Sequence, residues 1–196
     1  LAALRQQEAV AAAHELGVPS YRVHFLGFSD GMLHTVQDEA IAAVTPLLAE
    51  IQPAQIFVPS PKEPPSDHFM THAAVMAALK AAPFAVTIYE YPVWYWFHWP
   101  WVNLLQNRRR DTRVALKTSA LTWFGLRLLP EFQVGIDISD VLAQKQVALA
   151  QHRSQMESLQ PDAGWLTLHD VADGDFLYCF FQEVELFRRY HMQASR

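Results

Sequence analysis

Gln55–Tyr89 reads QIFVPSPKEPPSDHFMTHAAVMAALKAAPFAVTIY. A short apolar run ends at Val58, a proline-rich loop follows, a helical pattern covers Thr71–Ala81, and a second apolar run spans Phe84–Tyr89. Two strand-like runs with a helix between them form a βα unit, because parallel strands need a long crossover and a helix is the usual one. Working outward, a third run at Tyr21–Leu26 precedes Gln55 by about thirty residues, with a helical pattern at Glu39–Ile51 between them. Before that, residues 3–16 (ALRQQEAVAAAHEL) are strong helix formers, closed by Gly17 at a C-cap position with Pro19 beyond it. Alternation on this scale predicts an α/β fold with a mostly parallel sheet.

The remaining bounds come from composition. At 196 residues the chain is one domain in length, and 51% hydrophobic with 18% charged residues is too apolar for disorder. Cys179 is the sole cysteine, which excludes an internal disulfide framework and zinc-binding cysteine pairs. A net charge of −5, from 15 Lys and Arg against 20 Asp and Glu, argues against nucleic-acid binding on a broad basic surface. The chain opens at Leu1 inside a helical pattern, with no signal peptide and no initiator methionine, so Leu1 reads as an interior residue of a longer domain. A cytoplasmic location is expected.

At Tyr91 the character changes. Tyr91–Gln106 carries no formal charge and holds Trp94, Trp96, Trp99 and Trp101, and Arg108, Arg109, Arg110 and Arg113 follow. With Pro92 and Pro100 inside it, this run falls short of the roughly 20 residues that span a bilayer as a helix. Trp94–Arg113 could instead rest at a membrane interface, indoles at headgroup depth and guanidinium groups on phosphate. The plainer expectation is an insertion at about residues 91–131 whose aromatic residues cover the core or an oligomer interface. After Pro130 a strand is expected at Gln133–Ile138, then a helix capped by Ser139 and running to about Leu159. Two further apolar runs, Trp165–Leu168 and Phe176–Phe187, read as edge or antiparallel strands.

Four segments could carry chemistry. Ser66-Asp67-His68 follows a strand and opens a helix, where open α/β sheets place their ligands. His68 and His72 share a helix face and could share a metal, although Phe69 stands where a zincin would carry its glutamate base; otherwise His68 caps or packs and His72 faces solvent. His152 lies on the stripe Val141, Lys145, Ala148, Leu149 of its helix, the inward face, where a histidine is a satisfied core residue or a catalyst. Arg5 and Glu8 are spaced as a surface ion pair, and Asp30-Gly31 as a turn beyond a strand.

Taken together, LRQQEAVAAAHELGV, LGFSDGML, IQPAQIFVPSPKEPPSDH and KQVALAQHRSQM resemble, in order, the motifs of the PIG-L/LmbE family of zinc-dependent sugar N-deacetylases. The resemblance implies a Rossmann-like three-layer α/β fold, a Zn2+ cofactor, and removal of acetyl from an N-acetylglucosamine-like amino sugar, free or linked to a lipid or glycan. It makes His68 the zinc ligand and Asp67 its orienting neighbour. Arg5, Asp30 and His152 become the catalytic and substrate-binding residues around the sugar. Zinc suits amide hydrolysis because it acidifies bound water and polarises the carbonyl.

The sequence departs from the family pattern in two places. Pro65 occupies the position of a histidine that can stabilise the oxyanion. No segment matches the family's His-Pro-Asp-Asp-Glu strand end, so the first βα unit, with two zinc ligands and the general base, is read as missing and the chain by itself as inactive and a poor zinc binder. The rival is a non-catalytic membrane-peripheral or partner-binding module working through Trp94–Arg113. Another Rossmann-like enzyme, such as a glycosyltransferase, is weakened by the lack of a G-x-G-x-x-G or P-loop fingerprint.

Overall fold

Helix α1 (Ala2–Glu15) forms where the sequence strings together alanine, glutamine and leucine, the residues that lose least on entering a helix. It stops in a Schellman arrangement. Gly17 takes φ +76°, its N–H donates to the His14 carbonyl at 2.9 Å, and the Val18 N–H reaches back to Ala13 at 2.8 Å. The structure is a computed structural model that describes residues 1–63, 66–94, 131–159 and 164–195. Trp96, Trp99, Trp101, the four arginines from Arg108 to Arg113, and Pro65 lie outside the described residues.

The further elements are α2 (Gln37–Ile51), β1 (Gln55–Pro59), α3 (Ser66–Leu79), β2 (Val86–Tyr91), β3 (Val134–Asp137), α4 (Leu142–Ala150), the short α5 (Arg153–Met156), α6 (Asp175–Phe180) and β4 (Val184–Met192). They fall into two compact units, each drawn from separate stretches of chain. One holds described residues 1–25, 137–159 and 164–185, and the other 26–63, 66–94, 131–136 and 186–195.

In the second unit β1, α3 and β2 build the expected βα unit, with β1 and β2 parallel from Gln55↔Thr87 to Pro59↔Tyr91. The sheet order is β1-β2-β4-β3. The architecture is mixed α/β, but the expectation of a mostly parallel sheet is corrected. The β1–β2 pair is the parallel one, and β4 runs antiparallel to β2, with Val86 opposite Met192 and Glu90 opposite Arg188. The cause is that β4 comes at the end of the chain, from a run expected to give an edge or antiparallel strand, and takes the inner position beside β2 as an antiparallel one. Alternation along the strands gives the sheet two faces. Val58, Val86 and Ile88, each at most 1% exposed, pack with Leu79, Ala82, Val75, Met76 and Tyr190 into the core on the α3 side. Phe57, Tyr89 and Phe187 stack and meet edge-on at centroid separations of 4.8 to 5.8 Å on the other.

Two strand expectations fail and a third holds only in part, for physical reasons. Tyr21–Leu26 forms no strand: Ser20–Arg22 is a 3-10 turn, and the run has no ladder partner among the described residues, with Tyr21 74% exposed. Trp165–Leu168 is bent by Asp170, whose Oδ2 accepts from both the Thr167 N–H at 2.7 Å and its hydroxyl at 2.8 Å. Phe176–Phe187 splits, its first half becoming α6, where Phe176 and Phe180 meet edge-on at 5.0 Å across one helical turn. The single helix expected from Ser139 is also interrupted. Ser139 makes no cap with its side chain, and its N–H donates to Asp137 Oδ1 at 2.9 Å, while the chain breaks at Gln151-His152 between α4 and α5. Among the described residues no helix is long and apolar enough to cross a membrane.

Candidate functional site

Because β1 and β2 are parallel, their C-terminal ends lie at one end of the sheet, and the Ser60 N–H extends the ladder to the Tyr91 carbonyl at 2.9 Å. The loop after β1 and the chain after β2 therefore face the same space. Glu63 joins them. Its side chain has no accessible surface, and its carboxylate accepts from the Val93 N–H at 2.8 Å and the Trp94 N–H at 2.7 Å. Glu63 Oε2 also lies 3.2 Å from Nδ1 of His68, which stands in the first turn of α3 with 28% of its side chain exposed. A carboxylate at Nδ1 fixes the proton there and leaves the lone pair on Nε2, the nitrogen that would meet a metal or a substrate.

The contacts of Asp67 differ from those of Glu63. The carboxylate on the imidazole belongs to Glu63, and Asp67 is turned to the loop ahead of α2. Its Oδ2 accepts from the Gly31 N–H at 2.6 Å and its Oδ1 from the Leu33 N–H at 3.2 Å. Gly31, at φ +77°, occupies the left-handed region that glycine enters without strain. Asp67 thereby pins the loop that carries Asp30, which is itself exposed.

His72 lies one turn beyond His68 and does not face solvent. Its Nε2 is 2.8 Å from Glu90 Oε1, and 13% of its side chain is exposed. Glu90 is 2% exposed on the core face of β2, where it also accepts from Tyr190 Oη at 2.9 Å and from Arg188 Nη1 at 3.3 Å. Burial raises the Glu90 pKa, but the hydrogen bonds from His72 and Tyr190 and the charges of His72 and Arg188 outweigh it and leave the carboxyl below its ordinary value. Burial and the same carboxylate push the Tyr190 hydroxyl well above its usual range.

In the other unit, α1 and the α4–α5 segment meet through the two motifs that bear Arg5 and His152. Glu8 is 6% exposed, so the surface ion pair expected of it is not formed that way. Its Oε1 accepts the Ser154 N–H and its Oε2 the Ser154 hydroxyl, both at 2.7 Å. Trp165 Nε1 closes the cluster by donating to the Ser154 carbonyl at 2.9 Å. Burial raises the Glu8 pKa, yet both Ser154 hydrogen bonds, with the charges of His152 and Arg5, bring it below the ordinary value. His152 is half-buried at the break before α5, and Arg5 is half-buried on α1.

Among the described residues no three His, Cys, Asp or Glu side chains stand close enough to hold a metal ion together. The donor set thus offers His68 but does not complete the zinc site that the resemblance implies. The structure gathers Asp67, His68 and the Asp30 loop in one unit and Arg5 with His152 in the other. Glu63, Glu90 and Ser154 carry no role in the sequence reading, and Glu8 reads there only as half of a surface ion pair. A glutamate inside the otherwise apolar strand VTIYEY is a signal of a buried, partnered charge. No spacing rule pairs Glu63 with a histidine five residues on.

Residues 1–79 match the family model described as PIG-L, GlcNAc-PI de-N-acetylase. Over that span the chain is PIG-L-like. A search of curated proteins found no match to the chain. The PIG-L-like span contains Arg5, Asp30, Asp67 and His68, and also Glu8 and Glu63; His152 and Ser154 lie beyond it. The PIG-L model describes a de-N-acetylase, and so points to deacetylase-family chemistry.

Proposed function

We propose that this chain is a hydrolase of the deacetylase class, acting on the acetamido group of an N-acetylglucosamine-like sugar within a Rossmann-like domain. The observation that carries the reading is the family match over residues 1–79, which includes the strand, loop and helix start bearing Asp67-His68. The Glu63–His68 contact supports it. A buried carboxylate that holds one imidazole nitrogen leaves the other with a fixed direction and a lone pair, the state a metal ligand or a proton acceptor needs.

Within this reading Asp67 orders the loop from which Asp30 contacts the sugar, and Arg5 and His152, in the other unit, keep the catalytic and substrate-binding roles that the resemblance implies. Zinc would supply the activated water of such a reaction, and the described residues offer it one ligand, His68. Peripheral membrane contact through Trp94–Arg113 belongs to the same proposal, as a way to reach a lipid-linked substrate.

Two measurements test it. Calorimetry with zinc should give weak binding that His68→Ala removes, and tight one-to-one binding would overturn the single-ligand reading. With one zinc ligand the chain alone is expected to release little or no acetate from N-acetylglucosamine conjugates, and any zinc-dependent release should vanish in His68→Ala and survive in His72→Ala. Release indifferent to His68 would overturn its role, and strong binding to anionic vesicles with no release under any condition would favour the non-catalytic module.

A further inference from the structure

The α3-side face of the sheet changes character along β2. At one end Val86 stands opposite Met192 and Ile88 opposite Tyr190, and at the C-terminal end of β2 Glu90 stands opposite Arg188. Beyond that charged pair a cleft of about 330 Å³ opens, bordered by Ser60, Lys62, Glu90, Glu131, Gln133 and Arg188. Its size is at the lower end of the roughly 300–1,000 Å³ of small-molecule pockets, enough for one small ring.

We propose that this cleft is a saccharide subsite, binding one neutral polyhydroxylated ring through the Arg188 guanidinium and the Lys62 ammonium. Arg188 is positioned in advance. Nη1 donates to Glu90 at 3.3 Å and the guanidinium lies 5.6 Å from the centre of the Tyr190 ring, while Glu90 is itself held by His72 and Tyr190. The guanidinium is half exposed, and its other N–H groups have no hydrogen-bond acceptor among the described residues. Lys62, paired with Glu131, is the second cation at the rim.

Charge decides the class of ligand. Among the described residues two cations are matched by the carboxylates of Glu90 and Glu131, which leaves no surplus positive charge on that part of the lining to concentrate a phosphate, and Glu131 would repel one. A hydroxyl both donates and accepts, and a ring of hydroxyls therefore suits alternating guanidinium, ammonium, carboxylate and serine groups. Phe132, also on the wall, offers an apolar surface to the ring's C–H face. The inference rests on the amino-sugar reading for its ligand class, and extends it to a ring other than the one that bears the acetyl group.

Saturation-transfer NMR and calorimetry with N-acetylglucosamine, its β1,4-linked disaccharide and inorganic phosphate test it on the whole chain without metal. The disaccharide should bind more tightly than the monosaccharide, and Lys62→Met and Arg188→Met should each weaken disaccharide binding about tenfold. Lys62 is exposed, so Lys62→Met gives a result even if Arg188→Met fails to fold. Disaccharide binding unchanged in Lys62→Met overturns the subsite and leaves the deacetylase reading standing. Phosphate competing with the disaccharide overturns it in favour of an anion site. Binding of neither saccharide overturns the subsite, whereas disaccharide binding that depends on Lys62 and resists phosphate sustains it, whatever the outcome of the zinc and acetate measurements.

Discussion

Removing the Glu8 carboxylate would leave the Ser154 N–H and hydroxyl without their acceptor in a buried position. An unsatisfied buried donor costs about 1–3 kcal/mol, so Glu8→Ala should lower the unfolding free energy by that order in urea titrations. Glu8→Gln, which keeps one acceptor oxygen, should lose less. At this scale the sequence conveys residue types but not partners. Asp67 and His68 are legible because they close a proline-rich loop at a helix start. That Glu63 holds the imidazole while Asp67 holds the Gly31 and Leu33 amides is set by where the loop folds. Spacing along the chain carries no trace of that choice.

The ends of the elements hold strain that can be relieved. Gln52 ends α2 at φ +44°, ψ 59°, with its N–H on the Leu48 carbonyl at 2.9 Å, and its side chain is exposed. A non-glycine residue in the left-handed region costs roughly 1 kcal/mol relative to glycine, so Gln52→Gly should raise the melting temperature and add about 0.5–1 kcal/mol of stability. Gly174, at φ +93° before α6, should show the reverse. A Cβ there would meet only the His169 carbonyl at 3.9 Å, so the loss in Gly174→Ala, about 1–2 kcal/mol, would come from the backbone alone. Helices α1, α2 and α3 and strands β1, β2 and β3 are legible in the sequence because propensity, caps and apolar runs agree there. Tyr21–Leu26 is not, since a strand exists only where a neighbour completes its ladder, and no window of local sequence contains that neighbour. The second half of the chain is misread for a related reason. A short apolar run such as FLYCFF suits a buried helix as well as a strand, and the Phe176–Phe180 contact across one turn favours the helix.

Across the whole molecule, acid sensitivity follows from carboxylates in both units. Glu8 in one and Glu90 in the other are held below their ordinary value of 4.5, and each lowered pKa means that the unfolded chain binds its proton before the folded one. Between the two values the unfolded state carries more protons, so stability falls as pH falls. The contribution is complete above about pH 4.5 and is lost as the pH drops through the lowered folded values. Urea unfolding free energies should therefore decline as the pH falls below about 4.5. Glu90→Gln should begin lower at neutral pH, because the amide accepts less well from His72, Tyr190 and Arg188, but should flatten the decline. Glu8→Gln should flatten it independently, since the two groups belong to different units and share no partner. The slope left in the double variant should come in part from Asp137 and Asp170, lowered by the hydrogen bonds of Ser139 and Thr167. A decline equally steep in wild type and double variant would mean that neither buried carboxylate drives acid unfolding, and the hydrogen bonds drawn to Glu90 and Glu8 would then not hold them ionised.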